Sequence, residues 1–215
     1  SFRDGMQWGP VAEVLSDGGF VVAWSSADQD SEGGWGVYGQ RYEVDGTPIG
    51  DEFPINTEIS DDQLWPSITA LQDGGFVVTW TANHQDGSEF GIFGQRYGVD
   101  GAPDGGEFRV NSTTSGTQRD PSVTELSSGG YVVTWTSDNQ DGSGLGVYGQ
   151  RYGVNGEALG DEFQINTEAE GTQERSSAIG LSDGGFFVVW ESHHDSFADG
   201  MDGLRSDIFG RRFGI

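Results

Sequence analysis

The sequence predicts an all-β protein, a four-bladed β-propeller built from four four-stranded repeats of about 55 residues, the last blade lacking its own outer strand. Three observations predict it. The run Asp17-Gly18-Gly19-Phe20-Val21-Val22-Ala23-Trp24 returns at Asp73 to Trp80, Ser128 to Trp135 and Asp183 to Trp190, with tryptophan spacings of 56, 55 and 55. Gly39-Gln40-Arg41-Tyr42 returns at Gly94 to Tyr97 and Gly149 to Tyr152, and as Gly210-Arg211-Arg212-Phe213. No segment carries a 3.6-residue apolar period, so almost no helix is expected.

Each unit reads as four strands. Strand A, as in Pro66 to Leu71, follows a recurring glutamine (Gln7, Gln63, Gln118, Gln173) by three residues. Asp-Gly-Gly then signals a tight hairpin, because glycine adopts positive φ without steric cost. Strand B, as in Phe76 to Thr81, is β-branched or aromatic at nearly every position, so both of its faces should be covered. Strand C spans residues like Gly91 to Tyr97. An Asp-Gly or Asn-Gly turn (Asp45-Gly46, Asp100-Gly101, Asn155-Gly156) leads to strand D, as in Glu107 to Asn111. The units fall at 1–56, 57–111, 112–166 and 167–215 of a single domain, 1–215. The fourth unit stops after strand C, which is the pattern of a module within a longer chain. An open solenoid and a two-sheet sandwich are the competing architectures.

Charge narrows the function. There are 10 basic against 35 acidic residues, a formal charge of −25. Phosphate backbones and anionic bilayers require a basic face, so neither nucleic acid nor a membrane surface is an expected partner. No apolar run approaches the ~18 residues that span a bilayer, so no helical membrane insertion is expected. There is no cysteine, hence no disulfide, thiolate metal site or cysteine nucleophile. The acidic, cysteine-free composition suits a secreted or cell-surface protein.

The run Leu126 to Asn166, LSSGGYVVTWTSDNQDGSGLGVYGQRYGVNGEALGDEFQIN, resembles a tandem repeat of large secreted bacterial proteins that also carry RTX-type calcium-binding repeats and cadherin-like domains. The resemblance covers all four units. It implies a surface adhesin or a part of a multidomain extracellular protein, with other domains of the parent chain as neighbours.

Candidate functional residues fall into three sets. The B–C loops cluster oxygen ligands: Asp28, Asp30 and Glu32 in the first, Asp86 in the second, Asp138 and Asp141 in the third. A hard cation takes six to eight oxygens at such turns, so Ca²⁺ is the expected cofactor, although no loop completes the EF-hand pattern. The glutamines Gln7, Gln63, Gln118 and Gln173 are candidates to line the channel mouth. Trp8, Trp35 and Trp65 fall outside the repeated tryptophans. Near Gln and Asp they are the materials of a sugar platform, a flat apolar face beside hydrogen-bonding groups. The repeated Trp24, Trp80, Trp135 and Trp190 read as core. Arg41, Arg96, Arg151 and Arg212 read as structural, pairing with carboxylates such as Glu52, Glu107 and Glu162 or holding backbone carbonyls through the guanidinium.

A catalytic group is hard to find in the sequence. His84 lies in the second unit, apart from His193 and His194, which argues against a three-histidine zinc site. His193-His194-Asp195 with Asp199 and Asp202 is a further candidate metal or acid–base group, and carboxylate pairs suited to glycoside hydrolysis stay open, because spatial separation decides that chemistry. The Asp-to-Trp gap in Asp-Gly-Gly-Phe-x-x-x-Trp is too long for a sialidase Asp-box. The reading favoured by sequence is a non-catalytic, calcium-stabilised module that recognises an extracellular glycan or protein surface. A structural module of a large extracellular protein and a polysaccharide-degrading enzyme are the alternatives.

Overall fold

The computed structural model describes residues 5–30, 33–195 and 204–214. They form four antiparallel sheets, one per repeat. Blade 1 comprises β1 (Gln7–Val14), β2 (Phe20–Ala27), β3 (Trp35–Tyr42) and β4 (Pro48–Pro54). Blade 2 comprises β5 (Gln63–Ala70), β6 (Phe76–Asn83), β7 (Phe90–Tyr97) and β8 (Phe108–Arg109). Blade 3 comprises β9 (Gln118–Glu125), β10 (Tyr131–Asp138), β11 (Leu145–Tyr152) and β12 (Ala158–Gln164). Blade 4 has three strands, β13 (Thr172–Gly180), β14 (Phe186–Asp195) and β15 (Leu204–Phe213). The all-β propeller expected from the repeats is the fold observed. Strand D is placed differently: β4 and β12 begin earlier than the Glu107–Asn111 pattern suggests, and β8 is only two residues long.

Asp-Gly-Gly, or Ser-Gly-Gly in blade 3, closes each A–B hairpin for two separate reasons. Gly74 sits at φ +91°, and Gly75 lies so close to strand C that a Cβ would fall 2.2 Å from the Tyr97 carbonyl oxygen. Gly130 meets Tyr152 in the same way, at 2.1 Å. The Asp73 carboxylate accepts from the Gly75 N–H at 2.9 Å and fixes the turn.

Strand B is apolar on both sides because each side faces a different blade. Val21 and Ala23 of β2, with Val37 and Ile55, pack on Phe76, Val78 and Trp80 of blade 2. Val77, Ile92 and Val110 then meet Val133 and Trp135 of blade 3. Val132, Val147 and Ile165 meet Phe186, Val188 and Trp190 of blade 4. Trp80 and Trp135 are fully buried in these seams. Trp24 is only half-buried, because it lies on the outward face of blade 1.

A buried carboxamide joins each blade to the next. Asn111 Oδ1 accepts from the Ile92 N–H of β7 at 2.7 Å, and its Nδ2 donates to Gln118 Oε1 of β9 at 3.1 Å. Asn56 bridges Val37 to Gln63, and Asn166 bridges Val147 to Gln173, with matching lengths. A buried amide left without partners costs ~1–3 kcal/mol, so these bonds fix blade spacing as well as stability.

The strands β1, β5, β9 and β13 lie side by side around a common channel. Their C-terminal ends meet in a cavity of about 480 Å³ lined by Glu13, Thr69, Thr124 and Gly180, one residue from each blade. Their N-terminal ends therefore form the opposite mouth.

Truncating a seam tryptophan leaves a cavity between two blades. Trp135→Ala is expected to lower unfolding free energy by ~3–5 kcal/mol, read from denaturant unfolding. Trp8→Ala, whose indole is 52% exposed, is expected to stay within ~0.5 kcal/mol.

Candidate functional site

The N-terminal mouth is where the four-fold repeat breaks. Each inner strand carries a bulge just past its glutamine, with register shifts at Trp8/Val11, Leu64/Ser67, Arg119/Ser122 and Glu174/Ser177. The residue at the bulge is Gly9, Trp65, Asp120 or Arg175, all left-handed at φ 55–61°. Such a conformation costs a non-glycine residue ~1–3 kcal/mol unless its surroundings hold it. They do so with a hydroxyl from the preceding blade. Ser25 accepts from the Trp65 N–H, Thr81 from Asp120, and Thr136 from Arg175, at 3.2–3.3 Å. A common backbone device thus presents three different side chains, and a glycine at the fourth position, around one channel.

One side of the mouth is aromatic. Trp65 lies edge-on to Trp8 with ring centroids 6.4 Å apart, and 6.2 Å from Phe90. The other side is ionic. Arg119 Nη2 donates to Glu174 Oε2 at 2.9 Å, and Arg119 Nη1 pairs with the Asp120 carboxylate. Arg175 Nη1 lies 3.2 Å from Glu191 Oε2. His193 Nε2 stands between Glu174 and Glu191, at 3.4 and 3.5 Å. Glu191 occupies the repeat position held by Ser25, Thr81 and Thr136, so a carboxylate replaces a hydroxyl there. Burial pushes the Asp120 carboxyl above the usual carboxylate range, opposed chiefly by the charge and hydrogen bond of Arg119. The cluster therefore contains one carboxyl biased towards the protonated form beside two carboxylates held by cations.

The opposite mouth also has two carboxyls displaced upward by burial, Glu13 and Glu125. Its cavity has neither an aromatic ring nor an arginine in its lining.

The sequence-predicted residues divide sharply. Trp8 and Trp65 come together at the mouth. Trp35 does not lie in a loop: it opens β3, at the repeat position of Phe90 and Leu145 in β7 and β11. Gln63, Gln118 and Gln173 do not line the channel. They are buried in the carboxamide bridges, and only Gln7 of the four is exposed. The repeated arginines do not pair with the strand D glutamates. Arg96 pairs with Asp73 and Asp104, Arg212 with Asp183, and Arg41 lies 3.6 Å from Asp17, so they clamp the Asp-Gly-Gly turns. Glu107 and Glu162 instead accept from Thr57 and Ser112 at the entry to their blades.

The loop acids serve the fold. Asp86 accepts from the Ser88 N–H at 3.0 Å and from Asn111 Nδ2 at 3.3 Å. Asp141 accepts from Ser143, Gln164 and Asn166. Asp138 accepts from Asn139, Asp28 lies at φ 59° in the first loop, and the Asp30 carboxylate faces Gly36. Glu32, Asp199 and Asp202 lie outside the described residues, as do the side chains of His194 and Asp195. Among the described residues no three His, Asp or Glu side chains form a metal-holding group.

Arg119, Asp120, Glu174, Arg175 and Glu191 were not singled out by sequence reasoning. The signal was present: aligning Gly9, Trp65, Asp120 and Arg175 exposes a position that differs in every repeat.

No protein-family model matches the chain, and no curated protein matches it in sequence. Solved structures do resemble it. The α-L-arabinanase of Penicillium chrysogenum complexed with arabinobiose superposes with a TM-score of 0.68 at 15% identity, over 98% of this chain and 64% of that one. The GH93 α-L-arabinofuranosidase of Fusarium graminearum with arabinobiose gives 0.67 at 11%, over 98% and 63%. A thermostable family-43 glycoside hydrolase gives 0.56 at 14%, over 96% and 71%. The shared feature is the propeller fold. At these identities the likeness establishes the fold alone, and the chain spans just under two thirds of the first two proteins.

Removing the cation that opposes burial should move Asp120 further. In Arg119→Ala the Asp120 carboxyl is expected to titrate higher than in the native chain, read from its carboxyl carbon resonance.

Proposed function

We propose that this chain is a polysaccharide-degrading β-propeller that hydrolyses glycosidic bonds at its N-terminal channel mouth. The observation that carries the proposal is the pairing, on one mouth, of an indole platform with three carboxyls in contrasting environments. Trp65 and Trp8 offer apolar faces and edges to a sugar ring. Asp120, biased towards its protonated form by burial, is the general acid for the departing glycosidic oxygen. Glu174, held by Arg119 and beside His193, is the carboxylate that activates water or attacks the sugar carbon. Glu191 and Arg175, ion-paired at 3.2 Å, orient substrate hydroxyls.

This replaces the non-catalytic, calcium-stabilised recognition module expected from the sequence. The solved propellers that share the fold are described as arabinanase, arabinofuranosidase, xylanase and family-43 hydrolase, two of them holding arabinobiose. The unrepeated charges gather at the mouth, whereas the described loop acids are bonded into turns and strand contacts. A glycan remains the proposed partner, as substrate.

The test is reducing-end release from arabinan, arabino-oligosaccharides and xylan. Asp120→Asn is expected to lower turnover ~10²–10⁴-fold, the usual contribution of a positioned acid, with little change in KM. Trp65→Ala should raise KM instead. Because the acid acts protonated, activity is expected to be lost as pH rises through the raised Asp120 pKa. Equal rates for the native chain and Asp120→Asn across that panel would exclude the assignment.

A further inference from the structure

The outer edge of blade 4 differs from the other three in a way that defines a second site. In blades 1–3 an aliphatic–Asn pair following strand D covers strand C. The Ile55 N–H donates to Val37 O, Val110 to Ile92 and Ile165 to Val147, each at 2.8 Å, while the next residue's carboxamide accepts from the same strand C N–H. Val37, Ile92 and Val147 are consequently fully buried. Their counterpart in β15, Ile208, is 70% exposed, and Phe209 is 41% exposed. Beside Phe209 lies a cavity of about 260 Å³ lined by Trp190, Ser192, Gln173 and Asn166.

Three substitutions re-cut this edge without erasing it. In blades 1–3 a strand D phenylalanine lies on the strand C glycine: a Cβ on Gly39 would fall 2.9 Å from the Phe53 ring, and one on Gly94 2.8 Å from Phe108. At Gly210 the ring in that place is Phe187 of β14, at 2.6 Å, where the other blades have Val21, Val77 and Val132. The aromatic seat is thus filled from within. Gln95 and Gln150 donate to strand D carbonyls, but their counterpart Arg211 donates to Ile165 O at 3.0 Å, towards blade 3. Asp86 and Asp141 offer a carboxylate to the bridging asparagine against Gly91 and Gly146. In β15 that glycine position is Asp207, which puts an acid at the same register.

We propose that the β15 edge binds an extended peptide segment of the pattern small–x–aliphatic–Asn, antiparallel to β15. The small residue faces Gly210 under Phe187. The aliphatic residue lies on Ile208 and donates its N–H to the Ile208 carbonyl. The asparagine accepts from the Ile208 N–H beside Asp207. The site is a β-augmentation edge, and its specificity is the inverse of the internal copies at one position: they carry phenylalanine where this edge admits only a small side chain.

Octapeptides copying Asp161–Glu168 test the proposal on the full chain by calorimetric titration, with Ile208 amide exchange locating the bound peptide. The copy carrying F163A is expected to bind at least tenfold tighter than the unaltered copy and to slow Ile208 exchange. Adding N166A should abolish both effects. Phe187→Val restores the residue found in the other three blades, so the variant keeps its fold, and it should reverse the preference in favour of the phenylalanine-bearing copy. No change in Ile208 exchange with any peptide at millimolar concentration, or the same order of affinities in both chains, overturns the proposal.

Discussion

The buried asparagine carboxamide is the constraint on which the assembly rests. Asn56, Asn111 and Asn166 each accept from the strand C backbone of one blade and donate to the strand A glutamine of the next. An amide has both donor and acceptor, so one side chain satisfies a lone N–H and a buried glutamine together. Neither partner has access to water, and the bridge therefore fixes the distance and rotation between blades. The apolar seams then fill the space that these bridges define, with Trp80 and Trp135 as the largest buried pieces.

Fixed spacing of the blades lets the inner strands carry variation. In blades 2–4 the bulge after the glutamine is held by a hydroxyl from the preceding blade, not by its own side chain. The side chain at that position is consequently free of structural duty and can be glycine, indole, carboxylate or guanidinium. That freedom is what brings Trp65, Asp120 and Arg175 to one mouth on an otherwise repetitive scaffold. The chemistry follows from contrast: a carboxyl desolvated by burial stands near others compensated by Arg119 and Arg175.

Blade 4, three-stranded among the described residues, departs from the other blades at linked positions. Phe213 replaces the tyrosines Tyr97 and Tyr152, and the bond that the Tyr97 hydroxyl makes to the Ile55 carbonyl has its counterpart in Arg211 donating to Ile165 O. Arg211 also lies over the Phe213 ring at 4.8 Å. The change from Gly-Gln-Arg-Tyr to Gly-Arg-Arg-Phe is thus a set of linked replacements, in which the cation at the glutamine position turns inward to the preceding blade.

Repeat spacing, hairpin glycines and two-sided strand B determined the fold from sequence alone, because backbone geometry and burial periodicity are local properties of Asp73-Gly74-Gly75 and Phe76 to Trp80. The tryptophans of the core were legible for the same reason, and Trp8 and Trp65 were legible as exceptions to the repeat. The sequence did not reveal the destination of polar side chains. Gln63 and Gln118 looked fit to line a channel, yet the asparagine bridge buries them, and the Asp86 and Asp141 carboxylates accept from Asn111 and Asn166. Arg119 and Glu174 lie 55 residues apart and meet only because neighbouring blades stack, whereas Glu191 stands opposite Glu174 through the pairing of β13 with β14. Hydrogen-bond partners are chosen by three-dimensional proximity, so the tertiary structure alone decided which acids stabilise the fold and which stand together at the channel mouth.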